Sequence, residues 1–322
     1  MKLTEKQAIA IAQAIYGKQD ERVKQIEQLY KNTQSNVIDM IAAFIASNSN
    51  WNGKASPDEV ANFLSNLKDT FSNAGKDNQA TIKTAFKGNP LKTNGDMLTA
   101  KITQTFVKQM VAQKLQLSVS TQNIPDVVNS KNYKSAQKKI NTYNRQSKRS
   151  MNVDSILQRT ARNAVLDRHV DSDMFSSINK QTLQTIRKIR DIAERAAKSP
   201  KDSLNWQGEV ENILTGGNKA TNGQMGRASG MIRTATAQAL NRTKLEKLKS
   251  DKVEKYKFVS LEAPNTCQDC ADLDGNVYDV ADAEEGVNFP LMHYNCQCTV
   301  IEANDNDWDT SDHDVSEELD NL

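Results

Sequence analysis

Proline is scarce in this chain, with six in 322 residues, and aromatic side chains make up only 6% of it. A chain short of sheet-filling aromatics but rich in Ala, Lys, Gln, Asn and Ser is expected to be mostly helical, with much helix surface exposed. Long apolar runs are missing too. The longest, Met40 to Ala46, falls far short of the roughly 20 residues that a membrane span requires, so no membrane span is expected. The segment Met1 to Lys6 places charges where the apolar part of a signal peptide would begin, so synthesis in a reducing compartment is expected. At 37%, hydrophobic content is low for a compact globule of this length, and only part of the chain can build a deep core.

Charge of one sign is absent from two stretches. From Glu302 onward there is no Lys or Arg, while nine of the 40 acidic residues lie there; residues 1–301 therefore hold all 42 basic side chains against 31 acidic ones. A basic body with an acidic tail fits either contact with nucleic acid or an acidic partner, with a tail that competes for that surface, or a tail that simply aids solubility. Between Val127 and Val153 there is no acid. Lys131, Lys134, Lys138, Lys139, Arg145, Lys148 and Arg149 instead interleave with Tyr133 and Tyr143. Such a stretch could meet a phosphate backbone, or be a solvated basic helix or linker.

Cysteine is confined to one place. Cys267, Cys270, Cys296 and Cys298 share a short stretch with His293, as C-x-x-C answered by H-x-x-C-x-C. Two ligands three residues apart can reach one ion from a tight turn, and a second close group can complete a tetrahedral Zn2+ shell. A disulfide pair or a redox C-x-x-C is the competing reading, disfavoured in a reducing compartment. Five candidates compete for four positions. The preferred set is Cys267, Cys270, His293 and Cys298, with Cys296 able to replace either of the last two. A full shell leaves no place for an activated water, so Zn2+ is expected to be structural and the protein not to be an enzyme. A zinc deaminase would show H-x-E before its C-x-x-C, the reverse of the order here. Asp269, Asp272, Asp274, Glu284 and Glu285 are near enough in sequence to serve a hydrolase as bases, but read as turn and surface residues. His169 and His313 stand alone.

Apolar periodicity from Ala8 to Ala46 predicts a two- or three-helix unit. Ser56-Pro57-Asp58-Glu59 reads as a helix start, and Leu98, Ile102, Phe106 and Met110 as one stripe of a strongly amphipathic helix that closes before Pro125. Met174 to Ala196 marks a long helix, or two in tandem, ending before Pro200, and Trp206 to Ile213 a short one. The five glycines of Thr215 to Gly230 lack the G-K-[ST] of a phosphate-binding loop and read as a flexible connection. Met231 to Ser250 has a thin apolar side and a polar remainder. Short β-like pieces follow at Lys255–Leu261, Asn276–Val280 and Cys298–Ile301. The expected organisation is an N-terminal helical region (1–125), a basic linker or helix (126–153), a central helical region (154–250), a zinc-binding α+β module (251–301) and an acidic tail (302–322). The fold class is mainly α, with an elongated helical N-terminal part and a small α+β zinc-stabilised C-terminal module.

The order Thr266-Cys267-x-x-Cys270, Leu273-Asp274-Gly275, Pro290, His293-x-Asn295-Cys296-x-Cys298-Thr299 resembles the C-terminal signature of the phage Mu F-like minor head protein, or head morphogenesis, family. Arg233-Thr234-Ala235-Thr236, with Asn241 and Arg242, resembles that family's polar helix. Ala235 stands where many members have Glu, Tyr294 where Pro is usual, and Gln297 where Arg is common. The resemblance covers about residues 210 to 301. It implies a minor capsid component that associates with the portal vertex inside the head, contacts portal protein and the major capsid or scaffold protein, touches packaged double-stranded DNA and assists its delivery. Its expected location is the virion interior, and the host cytoplasm during assembly. The alternative is a zinc-knuckle nucleic-acid-binding regulator that uses the basic stretch.

Overall fold

The computed structural model describes residues 4–147, 172–201, 203–217, 222–261 and 266–303. Lys148, Arg149, His169, His313 and the acidic tail beyond Ala303 lie outside the described residues. So does the start of the helical pattern expected from Asp154. The described residues bear out a mainly α fold with one small sheet near the C-terminal end.

Ten α-helices are described: α1 (Glu5–Ala46), α2 (Pro57–Asn73), α3 (Lys76–Phe86), α4 (Asn94–Thr121), α5 (Ile124–Val128), α6 (Tyr133–Ser147), α7 (Ser172–Lys198), α8 (Trp206–Leu214), α9 (Gln224–Ser250) and α10 (Gln268–Asp272). The expected two or three N-terminal helices are one helix of 42 residues. No proline lies between Glu5 and Ala46, and the single Gly17 is too weak a breaker to end a helix whose apolar positions continue on both sides. Pro57 does open α2, behind Ser56 in extended backbone, although the Ser56 side chain makes no capping bond. Pro125 lies in the first turn of α5 rather than in a loop. The second half of the glycine stretch is helical, with Gly226 and Gly230 inside α9.

The chain divides into two compact units, each drawn from separated stretches. One comprises residues 22–119 and 149–229. Here α4 corrects the expectation of an amphipathic helix: Ile102, Phe106, Met110 and Val111 are buried, but so are Thr103, Gln109, Gln113 and Gln116. Buried polar side chains need partners, and three on α4 find them on α1 and α3, while Gln109 Oε1 has none among the described residues. Gln113 Oε1 accepts from the Tyr30 hydroxyl at 2.9 Å, Gln116 Oε1 accepts from Arg22 at 3.0 Å, and Lys114 donates to Asn78 Oδ1 at 2.7 Å. The stripe expected on α7 is inward, with Ile178, Ile186, Ile189, Ile192 and Ala196 all buried.

The other unit comprises residues 1–21, 120–148 and 230–322. Its helical core joins Ile11, Ile15 and Tyr16 of α1 to Ile124, Val127 and Val128 of α5, Ala136 and Ile140 of α6, and Ala237 and Leu240 of α9. After α9 the chain forms three antiparallel strands, β1 (Lys255–Val259), β2 (Val277–Asp279) and β3 (Thr299–Glu302), in the order β2-β1-β3. The register sets Tyr256 opposite Tyr278, and Phe258 opposite Val300. Tyr256 and Phe258, two residues apart, are both buried, as the period of a strand requires. The three expected β pieces are thus present, the first two trimmed and the third shifted by one residue.

Gly17 lies in the interior of α1, exposed, and a Cβ there would meet nothing within 4 Å. Gly17→Ala is therefore expected to stabilise the protein by about 0.5–1 kcal/mol, because the unfolded chain loses freedom and nothing clashes. Ile102→Ala should destabilise it by about 2–5 kcal/mol through the cavity left in α4's surroundings. Denaturant unfolding followed by helical circular dichroism checks both; a destabilised Gly17→Ala would contradict the open helix face.

Candidate metal centre

Each residue of the cysteine motif has a local reason for its place. Cys267 precedes the single turn of α10 and Cys270 sits within it, with the Ala271 amide closing the turn on the Cys267 carbonyl at 3.0 Å. Leu273-Asp274-Gly275 then reverses the chain toward β1. Leu273 packs against the cysteines, Asp274 Oδ1 accepts from the Ser260 amide at 2.6 Å, and Gly275 takes φ 82°, a left-handed conformation that glycine adopts at little cost. The Gly275 amide donates to the Phe258 carbonyl at 3.0 Å, which starts the β1–β2 pairing.

The second half of the motif is a turn of the same kind. The Cys296 amide donates to the His293 carbonyl at 3.1 Å, and Asn295 between them takes φ 69°. Asparagine tolerates this conformation better than other residues with a side chain. The Asn295 amide is held by Thr234 Oγ1 of α9 at 3.1 Å.

These turns bring all five candidates together. Cys267 Sγ lies 3.1 Å and Cys270 Sγ 3.3 Å from His293 Nε2, and Cys270 Sγ lies 4.0 Å from Cys296 Sγ. Donor atoms of Cys267, Cys270 and His293 form one group within mutual reach of a metal, and those of Cys270, Cys296 and Cys298 a second, with Cys270 common to both. A tetrahedral Zn2+ with bonds of about 2.0–2.3 Å sets ligand atoms about 3.5–3.8 Å apart; the two His293 contacts are shorter and the Cys270–Cys296 separation longer, and each group by itself offers three donors to one ion. All four cysteines are free thiols in this structure. Phe258, Leu273, Leu291 and Met292 pack around the sulfurs, while His293 is exposed.

Electrostatics prepare the donors unequally. His293 Nδ1 faces the Tyr294 carbonyl at 2.9 Å, which makes it the protonated nitrogen and leaves Nε2 free to ligate. The same bond raises the His293 pKa above the ordinary 6.5, against a smaller opposing effect of burial. The Cys298 side chain, hydrogen-bonded to Cys296, lowers the Cys296 pKa to about 5, whereas burial pushes Cys270 up to about 12. Cys298 itself is raised by its bond to Cys296.

Behind the sulfurs stands a polar brace. The Cys298 carbonyl accepts two hydrogen bonds, from the Tyr16 hydroxyl at 2.8 Å and from Asn241 Nδ2 at 2.9 Å. Lys244 donates to Thr299 Oγ1 at 2.7 Å and to the Val300 carbonyl at 2.8 Å, and Arg242 pairs with Glu285 at 3.3 Å. The helix expected to have a thin apolar side is instead buried almost all round from Met231 to Thr243: Thr234 and Asn241 bond to the cysteine loop, while Thr236 and Thr243 bond to carbonyls one turn back in the helix itself. Ala235 is fully buried. Asn241 and Thr234 were visible in the sequence as parts of a polar helix. Tyr16, more than 280 residues away from Cys298, carried no signal beyond its place in an apolar stripe.

The acidic candidates for a hydrolase do not join the cluster. Asp274 caps Ser260, Asp272 bonds Gln268, and Glu285 pairs with Arg242. Of the basic residues, Lys131, Lys134, Lys138 and Lys139 are exposed on or beside α6, and Arg145 lies on its last turns. Tyr133 packs against the helical core, so it is not an exposed stacking platform.

The site is that of a mainly α protein with a helix-braced α+β end whose thiols and imidazole could hold a metal. The resemblance of its motif is borne out over one segment: residues 180–301 match the family described as Phage Mu protein F like protein. No curated protein and no solved structure matches the chain. No helix among the described residues is long and apolar enough to cross a membrane.

Tyr16→Phe and Asn241→Ala loosen the backbone next to Cys296 and should each weaken metal binding by about 10-fold, the lower end of what losing an orienting group costs. Competition with a chromophoric chelator measures it, and unchanged affinity in both variants would remove the Cys298 carbonyl from any role in placing the thiols. Affinity should also fall with acid, since protons compete for Nε2 and the thiolates. Because the His293 pKa is raised, this loss is expected to begin at a higher pH than an ordinary imidazole would give. A binding curve flat in pH from about 8 to 5 would contradict it.

Proposed function

We propose that the chain is a minor head component that docks at the portal vertex inside the capsid, with a structural Zn2+ holding its C-terminal module in shape. The observation that supports this reading most is that the matched segment, 180–301, contains every candidate ligand, both motif turns and the polar helix that braces them. Cys267, Cys270 and His293 would hold the ion with Cys296 closing the shell, and the Cys298 amide, 3.5 Å from Cys296 Sγ, would steady that thiolate. Bound there, Zn2+ supplies cross-linking of a module too small for a core of its own, on the order of 10–16 kcal/mol in comparable peptides.

A non-enzymatic role agrees with this donor set. With four of the five sulfur and nitrogen donors closed on one ion, no ligand position is left for water. The neighbouring carboxylates are engaged in caps and ion pairs instead. The exposed lysines of α6 offer a face for packaged double-stranded DNA, consistent with assistance in its delivery, and portal, capsid and scaffold proteins are the expected partners.

Affinity purification of the tagged chain during phage production tests the proposal. Portal and capsid proteins should be recovered with the native chain and lost with Cys267→Ser/Cys270→Ser. They should persist when Lys131, Lys134, Lys138 and Lys139 are changed to Gln. Recovery of nucleic acid alone, released as salt rises, would replace the head-assembly reading with that of a zinc-knuckle regulator.

A further inference from the structure

A cavity of about 430 Å3 opens away from the cysteines, beside the C-terminal end of α9. Ile11, Val128, Leu248, Val253 and Val300 give it apolar walls. Several of its charges are already matched: Lys247 pairs with Asp251 at 2.6 Å, and Glu5 with Lys257 at 3.4 Å. Lys244 differs. Its ammonium donates to two neutral oxygens, Thr299 Oγ1 and the Val300 carbonyl, and burial without a carboxylate partner lowers its pKa to about 7. Exposed Lys131 adds a second positive charge to the lining. Apolar walls around an ammonium that no carboxylate neutralises suit an occupant with a large apolar side chain next to an acid.

The chain carries such a segment where it leaves the cavity. Glu302, the last residue of β3, is part of the lining, and the Ala303 amide is fixed to the Lys255 carbonyl at 3.1 Å. Asp305, Asp307, Trp308 and Asp309 follow directly, and Trp308 is the one aromatic residue beyond Ala303. Five residues of extended chain reach at most about 18 Å, enough to turn back into a cavity whose lining includes their own starting point.

We infer that this cavity is the docking site of the chain's own acidic tail, with Trp308 against the apolar walls and Asp307 or Asp309 at the Lys244 ammonium. Tethering supports the assignment, because a segment held a few residues away is present at high effective concentration and needs little intrinsic affinity. Docking neutralises the one ammonium of the lining that lies buried without a carboxylate. It also withdraws part of the tail's negative charge from the basic body. The inference stands apart from the head-assembly reading, since it concerns only this unit and its tail.

Zero-length carbodiimide coupling of the full-length chain, mapped by mass spectrometry, tests it. The chain is used as an equal mixture of 14N- and 15N-labelled protein. The expected result is amide links from Lys244, and to a lesser extent Lys131, to Asp305, Asp307 or Asp309, each within one isotope. Trp308→Ala should lower the Lys244 yield about tenfold by removing the apolar anchor, without touching any residue of the described core. Links joining the two isotopes would overturn the inference in favour of a second copy as occupant. Tail carboxylates spread evenly over the chain's lysines, or a Lys244 yield indifferent to Trp308→Ala, would show that the tail has no seat there.

Discussion

The carbonyl of Cys298 is the point on which the C-terminal module depends. It is buried, and a buried carbonyl without a donor costs on the order of 1–3 kcal/mol. The phenol of Tyr16 and the amide of Asn241 both reach it. One donor comes from the first helix of the chain and the other from α9, so the last cysteine, immediately before β3, is pinned from two sides without an ion. Thr234 does the same for the Asn295 amide, and Lys244 for Thr299 and Val300. A module of three short strands has little core of its own, and its precision is borrowed from the helices around it.

That brace also explains the polar helix. A helix with arginine, threonine and asparagine close to thiols invites a catalytic reading, and Glu in place of Ala235 would strengthen it. Here its polar groups are consumed by backbone atoms of the cysteine loop, by Glu285, and by Asp20 at 4.0 Å from Arg233. Gly230 belongs to the same surface: a Cβ there would come within 2.4 Å of the Tyr294 ring, which lies against the helix. The tyrosine that replaces the usual proline therefore has a packing role, one open to it because residue 230 is glycine.

The candidate site was legible to the extent that its ligands are local. C-x-x-C, L-D-G and H-x-N-C-x-C each encode a turn, with Gly275 and Asn295 in the left-handed conformations that their residue types suggest. The strands were legible from alternation, and α7 from its stripe. What could not be read was whether polar positions face water. Gln113, Gln116, Asn241 and Thr243 look like solvated helix surface in a sequence, yet all four are buried. Periodicity reports where apolar side chains fall. It is silent about partners supplied by a distant segment.

The sequence by itself determined the helical character, the strands, the turns that carry the candidate ligands and the motif within the matched segment, because each of these rests on interactions within a few residues. Tertiary structure decided the rest. It made one helix of the expected two or three at the N-terminus, and buried α4 and α9 on nearly every side. It also brought Tyr16 to Cys298 and formed the cavity around Lys244. These outcomes depend on contacts between residues far apart in the chain, where the cost of burying a polar group is met only by a partner that folding brings into place.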